Sequence, residues 1–208
     1  MGLRYLALGD SYTIGEAVAV EGRWPHRLAQ ALRAEGIALD DPQTIATTGW
    51  STDELDAAID AANPQGRFDF ASLLIGVNNQ YRGRSAAEYA GEFAALLERA
   101  IGFAGGRADR VLVLSIPDWS VTPFAAASGR DLDAIARELD AYNATAREAC
   151  SARGVAFVDI TAVSRARGAE PAMLAEDGLH PSATMYAEWT RLALPVARRL
   201  LQPPRTTP

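Results

Sequence analysis

Five short apolar runs recur along the chain, RYLAL (4–8), QTIAT (43–47), FASLLIG (70–76), RVLVLSI (110–116) and VAFVDI (155–160). Each is rich in Val, Ile, Leu or Phe and is too short for a buried helix, so each reads as a buried strand. Between them the period changes to that of an amphipathic helix. Trp24-Pro25 precedes HRLAQALRAEG, Ser51-x-x-Glu54 precedes LDAAIDAA, and Ser85-x-x-Glu88 precedes a run carrying Phe93, Leu96, Leu97 and Ile101. A proline in the first turn and a Ser-x-x-Glu box are helix-start signals. Gly36, Gly105-Gly106 and Gly154 follow the helices as stop signals. A fourth helix is predicted over about 131–152 and a last one over about 183–201, with residues 203–208 as a disordered tail.

Strands alternating with helices of ten or more residues require right-handed crossovers and a parallel sheet covered on both faces. The predicted fold is therefore α/β, a three-layer α/β/α sandwich, with residues 1–202 as a single domain. In such a sheet every strand ends on the same edge, and ligands of open α/β sheets bind in the crevice there. Any chemistry should lie in the loops that follow the strands.

Composition removes several classes. The 208 residues are 49% hydrophobic and 22% charged, enough apolar surface for a full core. The formal net charge is −6, the wrong sign for a nucleic-acid partner. All 20 basic residues are arginine, so Schiff-base chemistry and a lysine-bearing phosphate loop are impossible. Cys150 is the only cysteine, which rules out an intramolecular disulfide and reads as a buried small hydrophobe. With one Cys and two His (His26, His180), neither a metal site nor any other cofactor is indicated. The start MGLRYLALGD lacks a charged segment followed by an apolar run of about 7–15 residues, and no run approaches the ~18 residues of a membrane span. The expectation is a cytoplasmic protein without integral membrane contact, for which homo-oligomers stay open.

The strand-end loops carry four polar segments. After the first strand comes Gly9-Asp10-Ser11-Tyr12-Thr13, which presents a serine hydroxyl at the sheet edge; loop serines are more often turn formers or caps. After the second comes Thr48-Gly49-Trp50-Ser51, where a glycine lets a backbone N–H approach a ligand. Gly76-Val77-Asn78-Asn79 follows the third, with two side-chain amides. After the fifth strand a stretch of about 20 residues ends in Glu176-Asp177-Gly178-Leu179-His180-Pro181-Ser182. Asp177 and His180 are three apart, so the carboxylate can accept the imidazole Nδ1–H and leave Nε2 exposed, as the orienter and base of a Ser-His-Asp system do.

In order and loop position these four segments resemble the SGNH, or GDSL, hydrolase family, with its blocks falling on GDSYT, TTGWS, GVNN and DGLHPS. The resemblance implies Ser11 as nucleophile, His180 as general base and Asp177 as its orienter. It implies an oxyanion hole from the Ser11 and Gly49 backbone N–H groups and the Asn78 side chain, and a five-stranded parallel sheet of flavodoxin-like order 2-1-3-4-5. The substrate implied is a small-molecule carboxylic ester, with short acyl chains or O-acetyl groups favoured because no long apolar cleft is visible. Two positions depart from the family pattern: Tyr12 for its Leu, read as a change in the pocket, and Asn79 for its Asp, read as an amide that cannot hold a charge-assisted bond, so that its loop is held differently. Trp50, Tyr81, Trp119, Phe124 and Met185 are candidates for the substrate pocket, and Arg82 and Arg84 for an anionic group or a solvated rim. An acyltransferase or a lysophospholipase would use the same residues. A flavodoxin-like nucleotide or flavin binder is the alternative of another class, with Ser11, Thr13 and Gly15 around a phosphate, but it leaves DGLHPS unexplained.

Overall fold

The computed structural model describes residues 2–202; the tail predicted as disordered lies outside the described residues. Five strands form one parallel sheet: β1 (Tyr5–Gly9), β2 (Gln43–Ala46), β3 (Phe70–Leu74), β4 (Val111–Leu114) and β5 (Ala156–Val158), in the order β2-β1-β3-β4-β5. The register pairs Leu8 with Ile45 on one side and with Leu73 on the other, so the central strand is apolar on both faces. Every residue of β1, β3 and β4 is buried, as a sheet covered on both faces demands.

Nine helices join the described strands: α1 (Ser11–Ile14), α2 (Trp24–Ala34), α3 (Thr52–Ala62), α4 (Val77–Tyr81), α5 (Ala86–Phe103), α6 (Pro123–Ala127), α7 (Leu132–Arg153), α8 (Thr161–Arg167) and α9 (Ala183–Leu201). Helices α2 and α9 pack together on one face of the sheet and α3, α5 and α7 on the other, giving the three layers. Both predicted capping boxes form. The Glu54 carboxylate accepts the Ser51 N–H at 2.8 Å, and Glu88 accepts the Ser85 N–H at 2.7 Å while Ser85 Oγ accepts the Glu88 N–H. Such caps are each worth about 1 kcal/mol and fix where α3 and α5 begin.

The four short helices have no counterpart in the sequence reading, since four to seven residues show no period. Two of them, α1 and α4, carry Ser11 and Asn78. The stretch after β5, read as a long loop, holds α8 and a 3₁₀ turn at Pro171–Met173. The core is continuous from Trp24 in α2 and Trp189 in α9, both fully buried, through the sheet to Phe93 in α5 on its other face. Cys150 is buried among these side chains as expected, and burial pushes its thiol up to about 12. No helix among the described residues is long and apolar enough to cross a membrane.

Candidate active site

At the carboxyl edge of β1 the chain must turn at once into α1, and Gly9 makes this possible. A Cβ there would stand 2.2 Å from Thr13 Oγ1 and 2.4 Å from the Leu74 carbonyl. Asp10 then caps α1, its Oδ1 accepting the Tyr12 N–H at 3.0 Å. Ser11 is the first residue of that helix, so its N–H has no intrahelical acceptor. Asp10 is fully buried with Oδ2 unpartnered, and this burial raises its carboxyl to about 7; the N–H groups of Tyr12, Asp10 and Gly76 pull the other way and lose.

The loop between β2 and α3 bends at Gly49, whose φ of +89° suits a residue without Cβ. The Trp50 N–H closes this turn onto the Thr47 carbonyl at 3.3 Å, leaving the Gly49 N–H outside the turn's own bond. Asn78 is the second residue of α4, and its Nδ2 donates to the Trp50 carbonyl at 2.9 Å. An amide nitrogen carries two hydrogens, so one positions the side chain and the other remains available.

Asp177 and His180 form a closed turn. Asp177 Oδ1 accepts the N–H groups of Leu179 and His180, each at 2.9 Å, and Oδ2 faces His180 Nδ1 at 2.5 Å. Burial opposes ionisation of Asp177, but these bonds from the His180 ring and the two backbone N–H groups outweigh it, holding the carboxylate below its ordinary range. With Nδ1 committed to the carboxylate, Nε2 is the nitrogen left for chemistry. The imidazole also lies against the Tyr12 ring, centroids 5.9 Å apart, which ties the end of the chain to the loop after β1.

Ser11, Gly49, Asn78 and His180 line one cavity of about 230 Å³. Its remaining walls are Tyr12, Thr48, Val77, Tyr81, Trp119, Phe124 and Leu179. Trp119 is buried and donates its Nε1–H to Gln80 Oε1 at 2.9 Å, whereas Tyr81 and Phe124 are exposed at the rim. Three of the five pocket candidates are therefore cavity walls and two are not. Met185 is 2% exposed in the first turn of α9, where it packs into the core. Trp50 packs against the core from its half-buried loop and serves the site through its backbone carbonyl.

The two arginines are likewise committed. Arg82 donates to the Gly49 carbonyl at 2.7 Å, to Ser51 Oγ and to Glu54, while Arg84 pairs with Asp53 at 2.7 Å. Arg82 braces the loop that bears Gly49 and Arg84 is held on α3, so neither guanidinium is free for an anion. Tyr12, read as a change in the pocket, is one of its walls, whereas Thr48, Val77 and Leu179 were missed as lining residues, though each is adjacent in sequence to a residue singled out for chemistry, and that adjacency was the available signal.

The family model of the GDSL-like Lipase/Acylhydrolase family matches residues 7–188. Among curated proteins no sequence matches the chain. Solved structures share its fold over nearly the whole length. TesA is 17% identical with a TM-score of 0.75, covering 95% of this chain and 99% of its own. A lipolytic protein of the G-D-S-L family from Veillonella parvula DSM 2008 is 16% identical with a TM-score of 0.72, over 94% and 98%. Axe2, an acetylxylan esterase from Geobacillus stearothermophilus, is 19% identical with a TM-score of 0.71, over 94% of each chain.

Proposed function

The chain belongs to the GDSL-like lipase/acylhydrolase family, and on that footing we propose that it cleaves carboxylic esters of short acyl groups through an acyl-enzyme on Ser11. Ser11 Oγ attacks the ester carbonyl as His180 Nε2 takes its proton. Asp177 holds the ring by Nδ1 and stabilises the imidazolium that results. The oxyanion is met by the N–H groups of Ser11 and Gly49 and by the free hydrogen of Asn78 Nδ2. Collapse breaks the bond to the alcohol, which leaves with the proton from His180. Water then enters with His180 as base, and the acid is released with Ser11 restored.

The observation carrying this reading is the single cavity whose walls include Ser11, Gly49, Asn78 and His180, drawn from the loops after β1, β2 and β3 and the turn before α9. Its size argues for the substrate class. At about 230 Å³ it is below the roughly 300–1,000 Å³ of pockets for drug-sized ligands. Val77, Trp119 and Leu179 line it with apolar surface suited to an acetyl or similarly short acyl group. The aromatic rim of Tyr81 and Phe124 suits the flat apolar face of a sugar ring, so O-acetyl sugars are the favoured natural esters, and the likeness to an acetylxylan esterase supports this.

A panel of p-nitrophenyl esters from acetate to palmitate, run beside acetylated sugars and a lysophospholipid, tests the proposal. The expected result is kcat/KM highest at acetate to butyrate, and loss of turnover and of fluorophosphonate labelling in Ser11→Ala. A maximum at palmitate would overturn the acyl-length reading, and full activity in Ser11→Ala would overturn the mechanism.

A further inference from the structure

Asn79 follows Asn78 in α4 but turns into the protein, and it is fully buried. Its side chain is bonded at both ends. Oδ1 accepts the Thr52 N–H at 3.0 Å, while Nδ2 donates to Thr52 Oγ1 at 2.6 Å and to Glu92 Oε2 at 3.2 Å. Thr52 Oγ1 in turn donates to Glu92 Oε2. Thr52 opens α3 directly after the loop that bears Gly49, and Glu92 belongs to α5. One amide thus joins three helices: α4, which carries Asn78, α3, which follows the loop bearing Gly49, and α5.

The donors and acceptors of these bonds run in one order. Thr52 Oγ1 has a single hydrogen, spent on Glu92, so it must accept from Asn79. Both donors of the group point at the Glu92 carboxylate, and Arg84 stands 3.7 Å from that oxygen on the outer side. The neutral amide at 79 is thus tied to the carboxylate of Glu92 directly and through Thr52, and charge-assisted bonds are about twice as strong as neutral ones.

We propose that Asn79 and Glu92 are positioning residues for ester cleavage, a clamp that fixes the Asn78 amide and the Gly49 N–H at one separation by gripping Thr52. This rests on the esterase reading above. The clamp touches no substrate; it acts through the residues that meet the oxyanion. A donor displaced by about an ångström costs much of its effect, since oxyanion stabilisation depends on donors set in advance.

The test is a set of full-length variants assayed on p-nitrophenyl acetate from pH 5 to 9. Asn79→Ala is expected to lower kcat at least tenfold with KM within threefold. Asn79→Asp regains the acceptor for Thr52 but sets a carboxylate beside Glu92, and two such groups do not both ionise freely. Relative to wild type at the same pH, its kcat should be three- to tenfold lower above neutrality and the deficit should close toward acid, and Asn79→Asp/Glu92→Gln should return to within twofold of wild type at every pH. Should Asn79→Ala fail to fold, the Asp and Gln variants decide the matter, because Glu92 is partly exposed and tolerates the change. Wild-type kcat in Asn79→Ala, or a double variant no better than Asn79→Asp, would overturn the clamp. Amide exchange of Thr52 provides a readout independent of turnover, expected to quicken in Asn79→Ala and to be slow again in the double variant. Turnover surviving in Ser11→Ala would refute the esterase reading instead, whatever the exchange rates.

Discussion

The buried carboxyl of Asp10 makes a quantitative demand on the pH dependence of stability. In the unfolded chain it titrates at its ordinary 3.8, and in the folded protein burial raises it to about 7. Below pH 4 it is protonated in both states and folding costs nothing at this position. Between pH 4 and 7 the folded state holds a proton that the unfolded state has released, so stability falls as pH rises and levels off above 7. About three pKa units at ~1.4 kcal/mol each amount to about 4 kcal/mol, an upper figure for a single buried group. Asp10→Asn cannot ionise. Its Oδ1 keeps the bond from the Tyr12 N–H, but its Nδ2 brings two N–H donors where the protonated acid has one O–H, so the amide carries a fixed cost that does not vary with pH. The variant's stability relative to wild type should therefore rise by up to about 4 kcal/mol between pH 4 and pH 8, or roughly 10 °C in Tm for a chain of this length. Thermal melts of both proteins at half-unit steps from pH 4 to 9 measure the difference. Parallel curves, or a gap that widens toward acid, would refute the assignment of a raised carboxyl at this site.

Other expectations follow from the same geometry. Asn78→Ala removes one oxyanion donor and should lower kcat by ~10²–10³ with little change in KM; a change confined to KM in steady-state kinetics would mark Asn78 as a ground-state binder. Gly9→Ala and Gly49→Ala should separate folding from function. At Gly9 a Cβ meets Thr13 Oγ1 and the Leu74 carbonyl, and a loss of about 3 kcal/mol or more should appear in denaturant melts. At Gly49 a Cβ meets nothing within 4 Å, so only the left-handed backbone is strained, by ~1–2 kcal/mol, and kcat should suffer before stability does. Cys150 should resist iodoacetamide at pH 8 in the native protein and react on unfolding, as counted by mass spectrometry, because burial pushes the thiol up to about 12.

How much of this was legible beforehand varied with the length of the signal. The strand Phe70–Leu74 lies within the apolar run that announced it, Tyr5–Gly9 overruns its own by one residue, and α9 spans Ala183–Leu201 as predicted, even with Pro195 inside it. Polar segments at the ends of such strands had to converge, which brought Ser11, Gly49, Asn78 and His180 to notice together. Met185 misled because a methionine just past a site loop looks the same whether it faces the cavity or the core. Arg82 and Arg84 misled because a guanidinium near a site is equally ready for a substrate anion or for Gly49, Ser51 and Asp53. Asn79 read as an amide without a charge-assisted bond, because the carboxylate it bonds, Glu92, stands 13 residues away on another helix.

The sequence by itself determined the layering, the parallel sheet and the edge where chemistry could occur, because burial of apolar side chains at a fixed period is a local, repeated and additive preference. Only the tertiary structure decided which polar groups satisfy one another: that Arg82 holds the Gly49 carbonyl, that Asn79 leans on Glu92, and that Asp10 is closed off from water. A hydrogen bond is short-ranged and directional, so its partner is set by where the whole chain has brought two atoms, and that information is spread across elements far apart in the sequence.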